Sequence, residues 1–130
     1  MASYETPLAQ VRGKGSAKHG AGHFVAQRVS AIALIALVIW GVYSALTLAG
    51  ADFSAARTWL RAPVNAGLTG LLIAVGAYHM QLGMRTIIED YFARPITASA
   101  LLILNLFACW IVAIVGVASV LVVAFGGGVS

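Results

Sequence analysis

Charge is what this chain has least of: Asp, Glu, Lys and Arg make up 9% of its 130 residues, and only four are acidic. A water-soluble domain of this size needs a far more polar exterior, so the scarcity excludes that class. Cysteine is nearly absent too. The single Cys109 sits in an apolar run and excludes an internal disulfide framework or a cysteine metal cluster. No Gly-rich nucleotide loop occurs, and no cysteine set for iron–sulfur clusters, so flavin or cluster chemistry has no home in this chain. What remains is 61% hydrophobic residues and a mean hydropathy of +0.93. The expected fold is all-α and integral to a membrane, with too little interior at this length for a self-contained active site, which points to a partner.

The net charge of +4 is distributed unevenly. Arg12, Lys14, Lys18 and Arg28 all precede Val29, a pattern that reads as membrane topology and not as nucleic-acid binding. Residues 1–28, with Gly13, Gly15, Gly20 and Gly22 among those cations, read as a polar arm ordered only by contact. Residues 29–48 (VSAIALIALVIWGVYSALTL) are apolar or small throughout and give roughly 30 Å of helix, enough to cross the hydrocarbon. This run exceeds the roughly 7–15 residues of a signal-peptide core, so a retained first span is expected despite the Ala49-Gly50-Ala51 sequence.

Residues 49–63 form a linker in which SAARTWL suits a short helix capped by Ser54, with Trp59 at the interface. Residues 64–92 make a second span closed by Glu89-Asp90-Tyr91. Pro95 disfavours helix at Arg94 and leaves a turn over 93–96, which makes the second and third helices antiparallel neighbours. Residues 97–125 make the third span, and 126–130 a glycine-rich tail. Placing the N-terminus inside puts Arg12, Lys14, Lys18, Arg28, Arg85 and Arg94 on the inner side and only Arg57 and Arg61 on the outer. The expectation is therefore a cytoplasmic N-terminus and a cytoplasmic turn after the second span, with the C-terminus on the outer side.

His79 is the residue the bilayer accommodates least cheaply, because an imidazole in the apolar body of a span needs a hydrogen-bond partner or a metal. Gly76 at i−3 and Gly83 at i+4 clear space on its face, where a flat macrocycle could lie; glycines that only permit close helix packing are the alternative. Haem iron accepts one axial imidazole from this chain and leaves the other position to a partner. Asp90, eleven residues on, returns to nearly the same face, and Tyr91 adjoins it. A phenol and a carboxylate at the inner surface suit quinone chemistry, and equally an aromatic belt residue beside a solvated end charge. Arg28 suits a haem propionate or an acidic partner, with snorkelling at a helix end as the plainer reading. Arg85 has Glu89 within i+4 reach, and Asn105 suits an interhelical hydrogen bond.

The run His79 to Tyr91, HMQLGMRTIIEDY, with Gln27-Arg28-Val29-Ser30-Ala31 opening the first helix, resembles the hydrophobic membrane-anchor family of succinate dehydrogenase, respiratory complex II. The likeness covers residues 24–125, and H-x(3)-G-x(6)-D-Y is its most specific element. The resemblance implies half of a helical bundle shared with a companion membrane anchor, the pair docking an iron–sulfur protein and a flavoprotein. It implies that His79 is one axial ligand to a haem b, that Arg28 lies near the haem propionates, and that Asp90 and Tyr91 belong to a ubiquinone pocket. FAD and iron–sulfur clusters are implied on the partners only. His23 stands five residues before Arg28 where the family's first-helix histidine implies six, so His19 and His23 are left out of the site. A related fumarate reductase anchor, a non-redox structural or assembly protein, and a small transporter or proton relay using His79 and Asp90 are the alternatives.

Overall fold

The computed structural model describes residues 6, 8 and 20–126. Among them are four helices and no strand: α1 (Gly20–Leu48), α2 (Phe53–Arg61), α3 (Pro63–Tyr91) and α4 (Pro95–Phe125). Three of these, α1, α3 and α4, are long and apolar enough to cross a membrane. At 1.5 Å per residue each is about 43–47 Å long, well beyond a hydrocarbon core of about 30 Å, so their ends project into the interfacial regions.

The central helix is α3, which packs against both α1 and α4. Its buried residues Ala66, Ala77 and Ile88 recur every eleven positions, a spacing that returns to one face after three turns. On α1 the buried positions are Ser30, Leu37 and Ser44, seven apart, and two of the three are small. Small side chains on such a seam let helix backbones approach closely. The tightest approach is at Gly116 of α4, where a Cβ would fall 2.7 Å from Ile73 Cγ2 of α3; at Gly41 of α1 it would fall 3.1 Å from Leu72 Cδ2. Asn105 Nδ2 of α4 donates to the Gln81 carbonyl of α3 at 3.0 Å, which makes it the interhelical link its sequence position suggests.

Most of the apolar surface faces outward. No large side chain is fully buried among the described residues, and Ile32, Ile39 and Leu46 of α1 and Phe107, Ile114 and Val122 of α4 are each more than half exposed. Helices apolar all round with so little burial in their own chain are built for lipid and for neighbouring proteins.

Several boundaries differ from the sequence expectation. Helix α1 starts at Gly20, nine residues before the apolar run, because His23, Gln27 and Ser30 follow one helical stripe that lies against α3. Residues 20–28 are thus helix and not arm; apart from residues 6 and 8 the rest of that segment, including His19, Arg12, Lys14 and Lys18, lies outside the described residues, as do tail residues 127–130. Helix α2 is capped by Asp52 and not Ser54: the Asp52 carboxylate accepts the Ala55 N–H at 2.8 Å and the Ser54 hydroxyl at 2.9 Å, so Ser54 serves the cap as a donor. Two hydrogen bonds to its charged form hold the Asp52 carboxyl below its ordinary value, the Ala55 N–H first and the Ser54 hydroxyl second. Helices α3 and α4 begin at Pro63 and Pro95, at the first helical position where a missing N–H costs nothing. The turn between them shortens to residues 92–94.

At the α2 end, Trp59 stacks on Trp40 of α1 with ring centroids 5.8 Å apart, and Arg61 donates to the Gly126 carbonyl at 2.9 Å. Asn65 donates to the Trp59 carbonyl at 2.8 Å and ties α3 to the same corner.

Candidate functional site

At the opposite end, α1 and α3 enclose a groove of about 570 Å³. It is lined from α1 by Gly20, His23, Phe24, Gln27, Arg28 and Ala31, and from α3 by His79, Gly83, Thr86 and Ile87. Its polar groups gather on one stripe of α1. Positions 23, 27 and 30 are spaced i, i+4, i+7, one face of a helix, and that face meets His79.

His79 Nδ1 lies 2.9 Å from Ser30 Oγ, and Ser30 is buried, with 6% of its surface exposed. The same hydroxyl donates to the Gln27 carbonyl at 3.1 Å. Nearby, His23 Nε2 and Gln27 Oε1 are buried without a hydrogen-bond partner among the described residues. Unsatisfied buried polar atoms are costly, and a cluster of them on one groove marks a place shaped for something that completes it.

Among the described lining residues, Arg28 supplies the only full charge. Its guanidinium lies over the Phe24 ring, 5.0 Å from the centroid, an i, i+4 cation–π contact that holds the side chain beside the groove. No carboxylate lines the groove and no ion pair engages Arg28 among the described residues. The site therefore favours an anionic group. Arg85, by contrast, is spoken for: its Nε meets Glu89 Oε1 at 2.8 Å, with both side chains about half exposed.

Asp90 and Tyr91 stand outside the groove. Each follows a lining residue by one turn, Asp90 after Thr86 and Tyr91 after Ile87, so both continue the groove's face beyond its rim. Tyr91 is 81% exposed, and neither side chain bonds to another described residue. The structure thus sets Arg28 and His79 on one groove, with Asp90 and Tyr91 one turn away, adds Gln27 and Ser30, and returns His23, which its spacing to Arg28 leaves out of the site by sequence alone, to the groove's lining. The i, i+4, i+7 spacing of His23, Gln27 and Ser30 is the available signal, broken in the sequence reading because an apolar run starting at residue 29 leaves His23 and Gln27 outside the span and only Ser30 within it.

The glycines play different parts. Gly83 lines the groove, and a Cβ there would make only ordinary contact, 3.5 Å from Gln27 Nε2; Gly76 is not among the lining residues and faces open space. No group of three or more His, Cys, Asp or Glu able to hold a bare metal ion occurs among the described residues. The donor set instead suits a group that brings most of its own ligands: one imidazole from the protein, a cation for carboxylates, and polar neighbours. Two other hollows of about 410 and 420 Å³ lie between α3 and α4, and their walls are almost wholly apolar.

Comparison with known proteins follows the same line. The family model described as succinate dehydrogenase/fumarate reductase transmembrane subunit matches residues 2–125. The chain belongs to that family. It is also similar to proteins named succinate dehydrogenase hydrophobic membrane anchor subunit: 32% identical over 107 residues to the one from Rickettsia conorii, covering 82% of this chain and 85% of the relative. The Rickettsia bellii protein is 36% identical over 92 residues, 69% of this chain and 72% of the relative. That of Paracoccus denitrificans is 32% identical over 109 residues, 84% of each. No solved structure matches the chain. With three membrane-crossing helices and this family membership, the chain is a multi-pass membrane protein.

Proposed function

We propose that this chain is the membrane anchor of a succinate:ubiquinone oxidoreductase, contributing to the reaction as one part of a larger assembly. The observation that carries the reading is the groove, where the buried-face imidazole of His79 and the unpaired guanidinium of Arg28 open on the same space. His79 would hold the iron of a haem b there, and Arg28 would pair one of its propionates. When bound, haem b supplies one-electron redox capacity; the protein's part is to hold it and set its surroundings. A companion membrane anchor, packed on the exposed apolar faces of α1 and α3, would supply the other protein ligand and complete the bundle.

Asp90 and Tyr91, one turn past the groove and exposed, form this chain's share of a ubiquinone pocket closed by the iron–sulfur protein of the assembly. The Tyr91 hydroxyl donates to a quinone carbonyl, and the Asp90 carboxylate orients it or passes on a proton. Conversion of ubiquinone to ubiquinol takes two electrons, which the iron–sulfur protein would supply, and two protons, which the exposed Asp90 would help to pass in from solvent. Succinate oxidation belongs to the flavoprotein with its FAD. The end of the bundle bearing the groove faces the cytoplasm, since Arg28, Arg85 and Arg94 lie at that end.

The relatives named above are succinate dehydrogenase anchors, which favours that reaction over fumarate reduction within the family. Purifying the tagged chain from membranes tests the assembly. A flavoprotein, an iron–sulfur protein and a second small membrane protein should co-elute. Elution of the chain alone, from membranes that retain succinate dehydrogenase activity, overturns the reading and leaves a structural or assembly protein.

A further inference from the structure

We infer that Ser30 is the positioning residue for His79: its hydroxyl accepts the Nδ1–H proton, orients the ring and leaves Nε2 as the nitrogen with the free lone pair. The inference deepens the proposed reading of the groove and rests on it, but its argument is a count of protons. A serine hydroxyl carries one hydrogen and two acceptor lone pairs. The Gln27 carbonyl, 3.1 Å away and one turn back on the same helix, can only accept, so the two contacts are made together only when that hydrogen is given to it. Towards His79 Nδ1, 2.9 Å away, the oxygen therefore presents lone pairs only, and a good contact at this distance requires the proton on Nδ1. Ser30 is 6% exposed, so water competes little for either bond.

The chain of bonds runs from the imidazole to a hydroxyl and on to a backbone carbonyl, and its last member is fixed by the helix itself. An imidazole held in this way through one nitrogen offers the other to a metal, in one tautomer and one orientation. Donation through Nδ1 also makes Nε2 a stronger base, which favours the higher oxidation state of an iron bound to it. Neither Ser30 nor the Gln27 carbonyl reaches the groove's occupant in this scheme. Both act through His79.

The test uses the purified whole complex with three variants of this chain. Ser30→Ala removes the acceptor, Ser30→Thr keeps a hydroxyl, and Ser44→Ala truncates the other buried serine on the same seam of α1, far from the groove. Haem b content, the low-spin electron paramagnetic resonance signal and the haem midpoint potential are read in each. For Ser30→Ala the expected result is a roughly 10- to 100-fold loss of haem affinity, the usual effect of losing such a supporting partner. Haem that remains should show a displaced low-spin signal and a raised midpoint. Ser30→Thr should restore all three, and Ser44→Ala should leave them as in the parent.

Unchanged haem content, signal and potential in Ser30→Ala overturn the inference while leaving His79 as a ligand. An equal loss in Ser44→Ala also overturns it, because packing alone then accounts for the effect. Absence of haem from the parent complex is a different failure: it overturns the ligand reading of His79 and this inference with it.

Discussion

Tyr91 and His79 sit on one helix twelve residues apart, yet one is 81% exposed and the other is held by a buried serine. Burial separates their tasks. A Tyr91→Phe change removes a hydroxyl and keeps the aromatic ring, so the fold should be undisturbed. Succinate-to-quinone turnover should fall about tenfold, the worth of one hydrogen bond made at the reacting carbonyl, while succinate oxidation with an artificial acceptor persists. Equal retention of both rates would remove Tyr91 from the quinone site. Arg85→Ala is the contrasting change. Its ion pair with Glu89 is half exposed and within one helix, so its loss should cost no more than about 0.5 kcal/mol, visible at most as a small shift in thermal denaturation. At this scale the sequence was legible where chemistry is conspicuous against lipid. His79 stood out because imidazole is rare in an apolar span, whereas Ser30 did not, because a serine at a helix opening has many ordinary uses. Its pairing with a residue 49 positions away is a tertiary fact.

The three long helices could be read from their apolar runs alone, since a chain that must satisfy its backbone in lipid has few options. Their ends were harder to read. Glycine at positions 20 and 22 argues against helix by propensity, and α1 forms there because its polar stripe meets α3. Pro95 was read as a boundary from its effect on Arg94, and it proves to be the first residue of α4. The contact of α3 with α4 gives the sharpest element-scale prediction. Gly116→Leu should separate the two helices, because even a Cβ there would fall 2.7 Å from the branched side chain of Ile73. Overpacking of this kind costs about 1–3 kcal/mol, to be read as a lower midpoint of thermal unfolding in detergent, and a double change with Ile73→Ala should recover part of it. A parent-like midpoint for Gly116→Leu alone would show that the helices do not meet there. Helix α2 offers a pH test. The folded Asp52 carboxyl titrates below its unfolded value, so its capping contribution is complete above the ordinary carboxylate value and is lost as pH falls through the lower folded one. Amide exchange at Ala55 and Ala56, corrected for intrinsic rates, should therefore quicken in acid, and Asp52→Asn should weaken that dependence.

For the molecule as a whole, the striping of small and polar residues on inner seams and the wide exposure of Ile, Val and Phe elsewhere describe a component and not a finished machine. Its groove is lined by two imidazoles, those of His23 and His79, and by one arginine that no described carboxylate pairs, with unpartnered polar atoms on His23 and Gln27, all at the end of the bundle where the α3–α4 turn lies. Lipid can cover the apolar faces, but it cannot supply a second axial ligand or close a quinone pocket. On the proposed reading, that division is how a chain with one cysteine and four acidic residues would take part in electron transfer. The most direct measurement is the optical spectrum of the purified, partner-complete assembly, comparing the parent with His79→Ala at matched flavin content. The account predicts a haem b Soret band in the parent that is lost or displaced in the variant. An identical Soret band in both would contradict it.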